Sequence, residues 1–520
     1  MKPLRLLLLC LLPLPLWSEA QTAAVRDSLG ILRRAEFHNA PLATLDASAY
    51  ESSPAAMLYR YPVSYSTLRL QGDLRSESRP ILQPEGDGAL VGTFRADSYL
   101  RLDEQSVVTA GASYERGRTD NVRWNSTADY RLLRPFVLAD SVGGDLSTEE
   151  YAFRGAYVRR DGRINYGIGI NYRARHEFRQ IDPRPHNIVN DLTGTIGAGF
   201  STDRSLIALT ARGRIYKQSQ EVGFFDERGA NTVEFLMTGL GNYFARYVGG
   251  EDQSLFYKGK GYALSLTAVP SRTCGWSALL QYERFSNRNI FSELNYAPAG
   301  RLVTQTLSGS VARRYERGGF AVEGSYELRQ GFENVVDNGE TADYRILGEF
   351  AMYRNRTLRL AAGGMVTWNR PQTDYTLAPS VGYFRTSADY PYPKREIALS
   401  TASAGCDLHL TRHGQRGTLR ATVGGRYAVN PPHAVDRQPS RSRHRRHALR
   451  QRRPHDGRRR RTHGGPARRT GAAPFAGALR RRLVAPGHLH GRRACPLGHD
   501  RLRNLFLKRY LCLISNTVKR

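Results

Sequence analysis

The chain has 520 residues, a formal net charge of +30 and an isoelectric point near 10.3. Spread evenly, such a charge would suggest a nucleic-acid partner. However, residues 431–520 hold 25 Lys and Arg against three acidic residues, whereas residues 1–430 hold 52 against 44. The first 430 residues therefore lack the charge excess of a nucleic-acid-binding protein, and no nucleic-acid partner is predicted.

The first 20 residues predict a secretory signal peptide. Lys2 and Arg5 precede an apolar run at residues 6–17, and Ser18-Glu19-Ala20 supplies the small-residue pattern of a cleavage site. No other stretch approaches the ~20 apolar residues of a transmembrane helix. Residues 21–60 follow without strand-like alternation. We interpret them as a short periplasmic lead or as a plug segment that enters a lumen.

Residues 61–430 repeat one pattern, in which apolar and polar residues alternate over about ten positions. Clear examples are INYGIGINYRA (164–174), LVGTFRADSYLRL (90–102), GFAVEGSYELR (319–329) and TLRATVGGRYAV (418–429). This period predicts strands with one apolar and one polar face. Strands of soluble sandwiches are nearer five or six residues long, whereas about ten residues suit a tilted path across a bilayer.

The predicted connections alternate in length. Short links are expected at 102–106, 160–163, 201–205, 270–275, 315–319 and 354–357. Long links are expected at 73–89, 117–150, 174–191, 217–260, 286–301 and 330–342. Tight turns at one rim and long loops at the other are typical of outer-membrane barrels. We therefore predict an all-β, antiparallel transmembrane β-barrel, with about sixteen strands up to residue 430 and roughly 16–22 in the intended barrel.

Residues 431–520 differ in composition from everything before them. They contain no Glu, hold eight of the 13 His residues, and are dominated by Arg, Pro, His, Ala, Gly and Leu, the residues that GC-rich codons give when read out of register. We interpret this Arg-rich segment as a disordered tail produced by a frameshift near residues 428–432, so that the barrel is truncated at its C-terminus. A genuine disordered basic arm is the alternative.

The polar face of the predicted strands carries charges of both signs. Opposite charges on neighbouring strands could form ladders across a lumen, or a slight basic excess could favour anionic solutes. The candidate lumen-facing residues are Arg95, Asp97, Arg101, Arg173, Glu323, Glu327, Arg329, Arg359, Arg420 and Arg426. Tyrosines near strand ends are expected to form aromatic girdles at the two membrane interfaces; six of them are Tyr114, Tyr151, Tyr172, Tyr216, Tyr315 and Tyr353.

Catalytic motifs are missing from the sequence, which has no G-x-S-x-G, H-E-x-x-H, P-loop or C-x-x-C pattern. The nearest acid–base candidates are His176 and His186 with Asp182 and Asp191, which would suit a hydrolase at the rim of a barrel. Loop chemistry explains the same residues more simply. No catalytic residue, cofactor or metal site is predicted, and we do not expect an enzyme.

Three segments resemble a known family: SRPILQPEGDGALVGTFRADSY, NVRWNSTADYRLLRPFVLADSVGGDL and INYGIGINYRARHEFRQIDPRPHNIVNDL. They are similar to uncharacterised outer-membrane β-barrel proteins of Bacteroidota, and the resemblance covers roughly residues 55–430. It implies a barrel fold and an outer-membrane address. It implies no substrate and no site residues, and the tail does not match it.

These observations favour a passive or gated conduit for small solutes in the cell outer membrane. The expected partners are outer-membrane lipid, lipopolysaccharide and the barrel-assembly machinery. The alternative is a non-transporting surface scaffold that binds other proteins through the loops at 117–150 and 217–260. A rim hydrolase is the third hypothesis.

Overall fold

A computed structural model describes residue 35 and residues 38–80, 82–225, 234–248, 253–292, 296–337, 344–414 and 417–430. The predicted signal peptide, the first part of the lead segment and the predicted tail at 431–520 lie outside these residues. None of the helices in the described ranges is both long enough and apolar enough to cross a bilayer.

One antiparallel sheet of fifteen strands dominates the fold, and consecutive strands of this sheet are neighbours in it. Its strands are β1 (Tyr65–Ser76), β2 (Gly88–Arg101), β3 (Ser106–Val122), β5 (Gly144–Asp161), β6 (Ile164–Phe178), β7 (Arg184–Ser201), β8 (Ser205–Gly223), β11 (Gln253–Pro270), β12 (Gly275–Phe291), β13 (Ala297–Arg314), β14 (Gly318–Val336), β15 (Ile346–Asn369), β16 (Thr373–Tyr390), β17 (Arg395–His413) and β18 (Thr418–Val429).

The other elements are short. A second antiparallel sheet contains β4 (Val137–Ala139), β9 (Phe235–Gly239) and β10 (Asn242–Val248), with β9 in the middle. The helices are α1 (Ala47–Ser52) and α2 (Tyr130–Leu133), and the 3-10 helices are Pro41–Thr44, Pro54–Tyr59 and Gln83–Glu85.

Short and longer connections alternate along the large sheet as the sequence predicted, except that the link at 391–394 is as short as those of the opposite rim. One rim has links of two to four residues, at 102–105, 162–163, 202–204, 271–274, 315–317, 370–372 and 414–417. The other rim has links at 77–87, 123–143, 179–183, 224–252, 292–296, 337–345 and 391–394, the longest of which spans 29 residues. In the two-residue turn, Gly162 has a φ of +56°, a conformation that a side chain would disfavour.

Three predicted connections were wrong. The link at 354–357 does not exist, because β15 runs unbroken for 24 residues, and the sheet therefore has fifteen strands rather than about sixteen. The links at 174–191 and 286–301 are only five residues long, at 179–183 and 292–296. Polar residues near the outer strand ends resembled loop residues, although their backbones continue the ladder between neighbouring strands.

The two faces of the sheet differ as the alternation predicted. On β6, the side chains of Ile164, Ile168 and Ile170 are more than half exposed, whereas Asn165 on the other face is completely buried. Large apolar side chains are exposed in the same way along the whole sheet, for example Leu264, Leu280 and Val381. So large an apolar surface is unsuited to water and is expected against lipid, with the backbone groups satisfied between strands.

The predicted fold class, an all-β antiparallel membrane barrel, is confirmed at the level of this sheet. Within the described residues, β1 and β18 are its two edges and each pairs with one neighbour. The prediction that tyrosines near strand ends form aromatic girdles at the membrane interfaces was wrong for two of them. Tyr216 and Tyr353 are buried on the polar face, whereas Tyr151, Tyr172 and Tyr315 are exposed.

Replacing Ile168 by arginine is expected to destabilise the membrane-embedded fold by about 2–4 kcal/mol, because the guanidinium would meet hydrocarbon. Ile168 is 61 % exposed on the apolar face. The free energy of unfolding in lipid vesicles, obtained by urea titration, measures the effect. The control is Gln71→Arg, on the polar face beside Asp73, which should change that free energy by about 0.5 kcal/mol or less. Equal losses in both variants would contradict the assignment of the two faces.

Candidate functional site

The N-terminal segment (residues 38–60) lies against the polar face of the large sheet. Its backbone carbonyls accept hydrogen bonds from strand β2: the Tyr99 hydroxyl donates to Met57 O at 2.8 Å, and Arg101 Nη2 donates to Leu58 O at 2.7 Å. Five strands further along the sheet, Thr210 Oγ1 on β8 donates to Ser53 Oγ at 2.7 Å. The segment therefore contacts the sheet over much of its width.

The same segment reaches β11 and β13. Ser52 Oγ and Thr267 Oγ1 are 3.0 Å apart, and Ser48 Oγ and Ser310 Oγ are 3.1 Å apart. A sheet whose second and tenth strands both contact one short segment must curve around it. Close approach is also required at Gly167, where an added Cβ would lie 3.0 Å from the backbone carbon of Pro54.

His38 is packed at the start of this segment. Its ring stacks on Tyr61 with the centroids 3.8 Å apart, and its Nε2 lies 3.1 Å from the carbonyl oxygen of Val63. Burial lowers the pKa of His38 to about 4, and the hydrogen bond to Val63 only partly opposes this. The imidazole is therefore neutral near pH 7, with Nε2 as the donor to that carbonyl.

A second element on the polar face is the loop between β3 and β5, which we term the inward loop (residues 123–143). The Ser126 carbonyl accepts hydrogen bonds from Asn187 Nδ2 and Gln220 Nε2, both at 2.9 Å. Its apolar side chains are buried together with those of the wall, and they include Leu133, Val137 and Leu138. The inward loop is thus packed into the concave side of the sheet rather than projecting from the rim.

Asp129 carries an ionic contact between the inward loop and the wall. Its carboxylate accepts hydrogen bonds from Arg173 Nη1 at 3.0 Å, Arg175 Nη1 at 3.2 Å and the Tyr216 hydroxyl at 3.0 Å. Burial by itself would raise the pKa of Asp129, but Arg173 and Arg175 outweigh burial and hold the pKa below its ordinary value. The carboxylate is therefore ionised and binds the loop to strands β6 and β8.

A buried polar cluster joins the inward loop to β9. Ser126 Oγ lies 2.9 Å from both Asp140 Oδ2 and Glu234 Oε1, and Arg179 Nη1 donates to Asp140 at 3.0 Å. The hydroxyl has one hydrogen, so the two carboxylates cannot both accept from it. Burial raises the pKa of Glu234 to about 8, and the nearby Asp140 raises it further than Arg179 lowers it. A protonated Glu234 donates to Ser126, which in turn donates to Asp140.

The small sheet connects the interior elements to strands β16 and β17 of the large sheet. Thr238 Oγ1 on β9 lies 3.3 Å from the Tyr390 hydroxyl on β16, and Arg395 Nη1 on β17 donates to the Leu240 carbonyl at 2.7 Å. The inward loop and β9 together therefore contact walls formed by β6–β8 and by β16–β17. Two separate elements occupy the interior of the curved sheet.

On the inner face of β2, β3, β5, β6 and β7 lies an open cavity of about 270 Å³. Two ion-pair groups line it. In the first, Asp97 binds Arg95 Nε at 2.8 Å and also Arg154. In the second, Asp191 binds Arg214 Nη2 at 2.8 Å and Arg173 Nη2 at 3.4 Å. We term this cavity the interior chamber; its wall pairs each carboxylate with two guanidinium groups.

The ten candidate lumen-facing residues share one face of the sheet. The register of cross-strand partners connects them; for example, Ser325 pairs with Arg359, and Thr411 pairs with Arg420. Arg95, Asp97 and Arg173 line the interior chamber. Arg101 instead binds the N-terminal segment.

The remaining six lie on β14, β15 and β18. Arg329 is buried below the inward loop, Glu327 is 3.5 Å from it, and Arg359 is half-buried nearby. Glu323 is exposed on the same face. Arg420 Nε donates to Thr411 Oγ1 at 3.2 Å, and Arg426 pairs in register with Gly405 on the edge strand.

The hydrolase candidates are not assembled into a site. The rings of His176 and His186 are 4.6 Å apart, but Asp191 lies on the opposite face of β7 and binds Arg214. Asp182 binds Arg184 Nε at 2.6 Å. No three His, Cys, Asp or Glu side chains in the described ranges are grouped so that they could hold a metal ion.

Sequence reasoning missed four residues that complete the ion pairs. Arg154 and Arg214 follow the alternation of β5 and β8 and could have been assigned to the polar face from that pattern. Asp191 was assigned to a rim loop because β7 was expected to begin later. Asp129 lies in the inward loop, and no local pattern in the sequence indicates its distant arginines.

Residues 54–445 match the model of a family described as "Family of unknown function (DUF6850)". No curated protein matches this chain. The ferric citrate transporter FecA in its unliganded form is similar over 70 % of this chain and 54 % of that chain, with 12 % identity and a TM-score of 0.33. This chain therefore spans about half the length of that structure.

Two further solved structures are similar over most of their own length. The CymD monoaromatic hydrocarbon channel matches over 71 % of this chain and 94 % of that chain, with 8 % identity and a TM-score of 0.33. A Pseudomonas aeruginosa FadL homologue matches over 74 % and 92 %, with 12 % identity and a TM-score of 0.32. Similarities this distant carry no inference about what this chain binds.

Proposed function

The chain belongs to the DUF6850 family, and we propose that it is a gated outer-membrane conduit for small polar solutes. The observation that carries this proposal is the interior chamber, an open cavity lined by ion pairs on a polar face that also holds two elements through hydrogen bonds and ion pairs. A wall of paired charges stays hydrated and passes polar solutes, whereas an apolar interior would not.

The N-terminal segment acts in this proposal as a plug rather than as a periplasmic lead. It crosses the polar face from β2 to β13 through side-chain and carbonyl hydrogen bonds, near the tight-turn rim. The inward loop occupies the opposite end of the interior. Each element is held by contacts that can break and re-form, which suits a gate.

The outer membrane is the location that suits the apolar face of the sheet. In that membrane the face would contact lipid and lipopolysaccharide, and insertion would require the barrel-assembly machinery. No nucleic acid is needed in this scheme. The exposed apolar side chains of β6, β11 and β12 support the proposal.

A complete barrel needs partners for β1 and β18, which are the edges of the sheet within the described residues. Unpaired backbone groups are costly in hydrocarbon, so we propose that further strands close the sheet. If residues 431–520 are out-of-frame translation, the other reading frames of the encoding DNA downstream of codon 425 should contain alternating strands. Reading frames without such strands would favour a genuine basic arm instead.

A plugged interior also suits the alternative function, a surface scaffold that does not transport. However, the middle of the inward loop is buried, including Phe136, Leu138 and Ala139, so this part of the predicted 117–150 loop is not presented to a protein partner. The conduit is therefore the better-supported function.

Cross-linking the plug tests the proposal. Cysteines at Ser52 and Thr267, whose hydroxyl oxygens are 3.0 Å apart, should form a disulfide that ties the N-terminal segment to β11. In planar bilayers we expect stepwise currents from the unmodified protein, a loss of most current in the oxidised variant, and recovery when the disulfide is reduced.

The matched control places cysteines at Ser66 and Ser98, which are 2.8 Å apart on β1 and β2 and face away from the interior. This disulfide should leave the currents unchanged. Absence of current from the unmodified protein, even in urea too dilute to unfold the sheet, would favour the scaffold.

A further inference from the structure

The arginines of the interior wall are not all paired with carboxylates. Arg95, Arg154, Arg173 and Arg214 each have an acidic partner within 4.0 Å. Within the described part of the chain, neither Arg134 nor Arg359 has a carboxylate within that distance, although both are partly buried. They lie on the inward loop and on β15, and neither belongs to the lining of the interior chamber.

Arg329 brings these two residues together. Its Nη1 donates to the backbone carbonyls of Arg131 and Arg134 at 3.0 and 2.9 Å, so that it holds the turn after α2 against β14. Arg359 lies on the adjacent strand and is close enough to Arg134 and Arg329 for the three charges to repel one another. The cluster therefore contains three guanidinium groups from β14, β15 and the inward loop.

Acidic neighbours do not balance this cluster. Glu327 is 3.5 Å from Arg329 and is the carboxylate that acts on Arg359. Glu85 is occupied by a bidentate ion pair with Arg131. Glu327 is thus the carboxylate closest to the three arginines, and Glu85 acts on Arg134 only from within its ion pair with Arg131.

Among the residues that the structure describes, two donor atoms in the cluster have no hydrogen-bond partner. Arg329 Nε and Arg359 Nε are buried and make no hydrogen bond, and the Arg329 residue is only 6 % exposed. A buried donor without an acceptor is costly, and an unpaired buried charge more so. An anion with several oxygens would satisfy both, because guanidinium groups bind carboxylate and phosphate through paired hydrogen bonds.

We propose that Arg134, Arg329 and Arg359 form a binding site for a small oxyanion, a phosphate or carboxylate group of a free solute, on the interior wall beneath the inward loop. The Nε donors of Arg329 and Arg359 bind its oxygens, and Arg134 supplies a further positive charge from the loop. This site is separate from the interior chamber, and binding there does not require that the chain conducts.

Equilibrium binding by the full chain in detergent tests the proposal. Isothermal titration with inorganic phosphate and, separately, with succinate is carried out at low ionic strength in a buffer without other oxyanions. We expect at least one of the two probes to bind, and Arg359→Gln to weaken that binding roughly tenfold or more. Arg359→Lys should recover only part of the affinity, because lysine keeps the charge and loses the planar fork.

Arg356→Gln is the matched control, since Arg356 is exposed on the other face of β15. It should leave the affinity within about twofold of the unmodified protein. Arg134→Gln is the second variant, because it changes a loop residue and leaves the sheet intact; it should weaken binding as well. Failure of both probes to bind, or equal weakening by Arg356→Gln and Arg359→Gln, would overturn the site. Binding without bilayer current would overturn the conduit and leave this site standing.

Discussion

Replacing Asp129 by asparagine is expected to release the inward loop from the wall and to increase bilayer conductance. The change removes the loop carboxylate that Arg173 and Arg175 share, while carboxylates of the sheet remain beside both arginines. Because both arginines keep other carboxylate partners, the loss is expected to be about 1.5–3 kcal/mol, the usual contribution of hydrogen bonds to a charged group, and it is taken from the docking of the loop. Asparagine tolerates the left-handed conformation of residue 129, φ 53° and ψ 37°, so the effect isolates the charge.

Hydrogen exchange of the amides at 126–139 measures the release, and planar bilayers measure the conductance. The matched control is Asp120→Asn, which removes an exposed carboxylate that binds Arg118 at the end of β3; it should change neither quantity. Increased exchange with unchanged conductance would show that the inward loop does not gate a path. Unchanged exchange would show that Asp129 does not hold the loop.

The same ion pairs predict how acid affects the loop. Because the pKa of Asp129 is held below its ordinary value, this contribution to docking is present at neutral pH. It declines as the pH falls below the ordinary pKa of an aspartate, and it is lost completely once the pH has fallen through the lowered pKa of the docked state. Acid therefore weakens the Asp129 contact, in the opposite sense to the Glu234 cluster.

Alternation predicted the sheet because it is a local property. Each strand must present one face to lipid and one to the interior, so every second residue is constrained, and the faces of β2, β6, β14 and β18 follow from the sequence alone. The ends of the strands were less predictable. The chain beyond the membrane is free of the lipid constraint, so the polar residues of β7 at 184–191 resembled a loop although they continue the sheet.

The interior elements could not be predicted for a different reason. The contacts of Asp129 with Arg173 and Arg175 join residues more than 40 positions apart, and those of Ser53 with Thr210 join residues 157 positions apart. Nothing in the local sequence distinguishes a loop that folds into the barrel from one that projects outward. The candidate charges on the wall were found from the alternation, whereas their partners on the loops required the structure.

Docking of the inward loop is expected to weaken as the pH rises from about 4.5 towards 8, because of Glu234. Burial raises the pKa of this carboxyl from 4.5 to about 8. Below the ordinary pKa of 4.5, Glu234 is protonated whether the loop is docked or released, so the docked state has its full stability. As the pH rises further, the released state loses its proton first, and docking weakens by up to about 1.4 kcal/mol per pH unit until the raised pKa is reached.

The structural cause of this dependence is the proton shared in the Ser126 cluster. Once Glu234 ionises, Ser126 faces two carboxylates with one hydrogen, and Glu234 Oε2 is buried without a partner.

Glu234→Gln keeps an acceptor and a donor at this position without a charge, and it should make loop docking nearly independent of pH between 5 and 8. Hydrogen exchange at 126–139, corrected for the intrinsic pH dependence of amide exchange, gives the measurement. The matched control is Glu221→Gln, an exposed residue on β8, which should retain the dependence of the unmodified chain. If Glu234→Gln also retained the pH dependence of loop docking, a group other than Glu234 would have to cause that dependence.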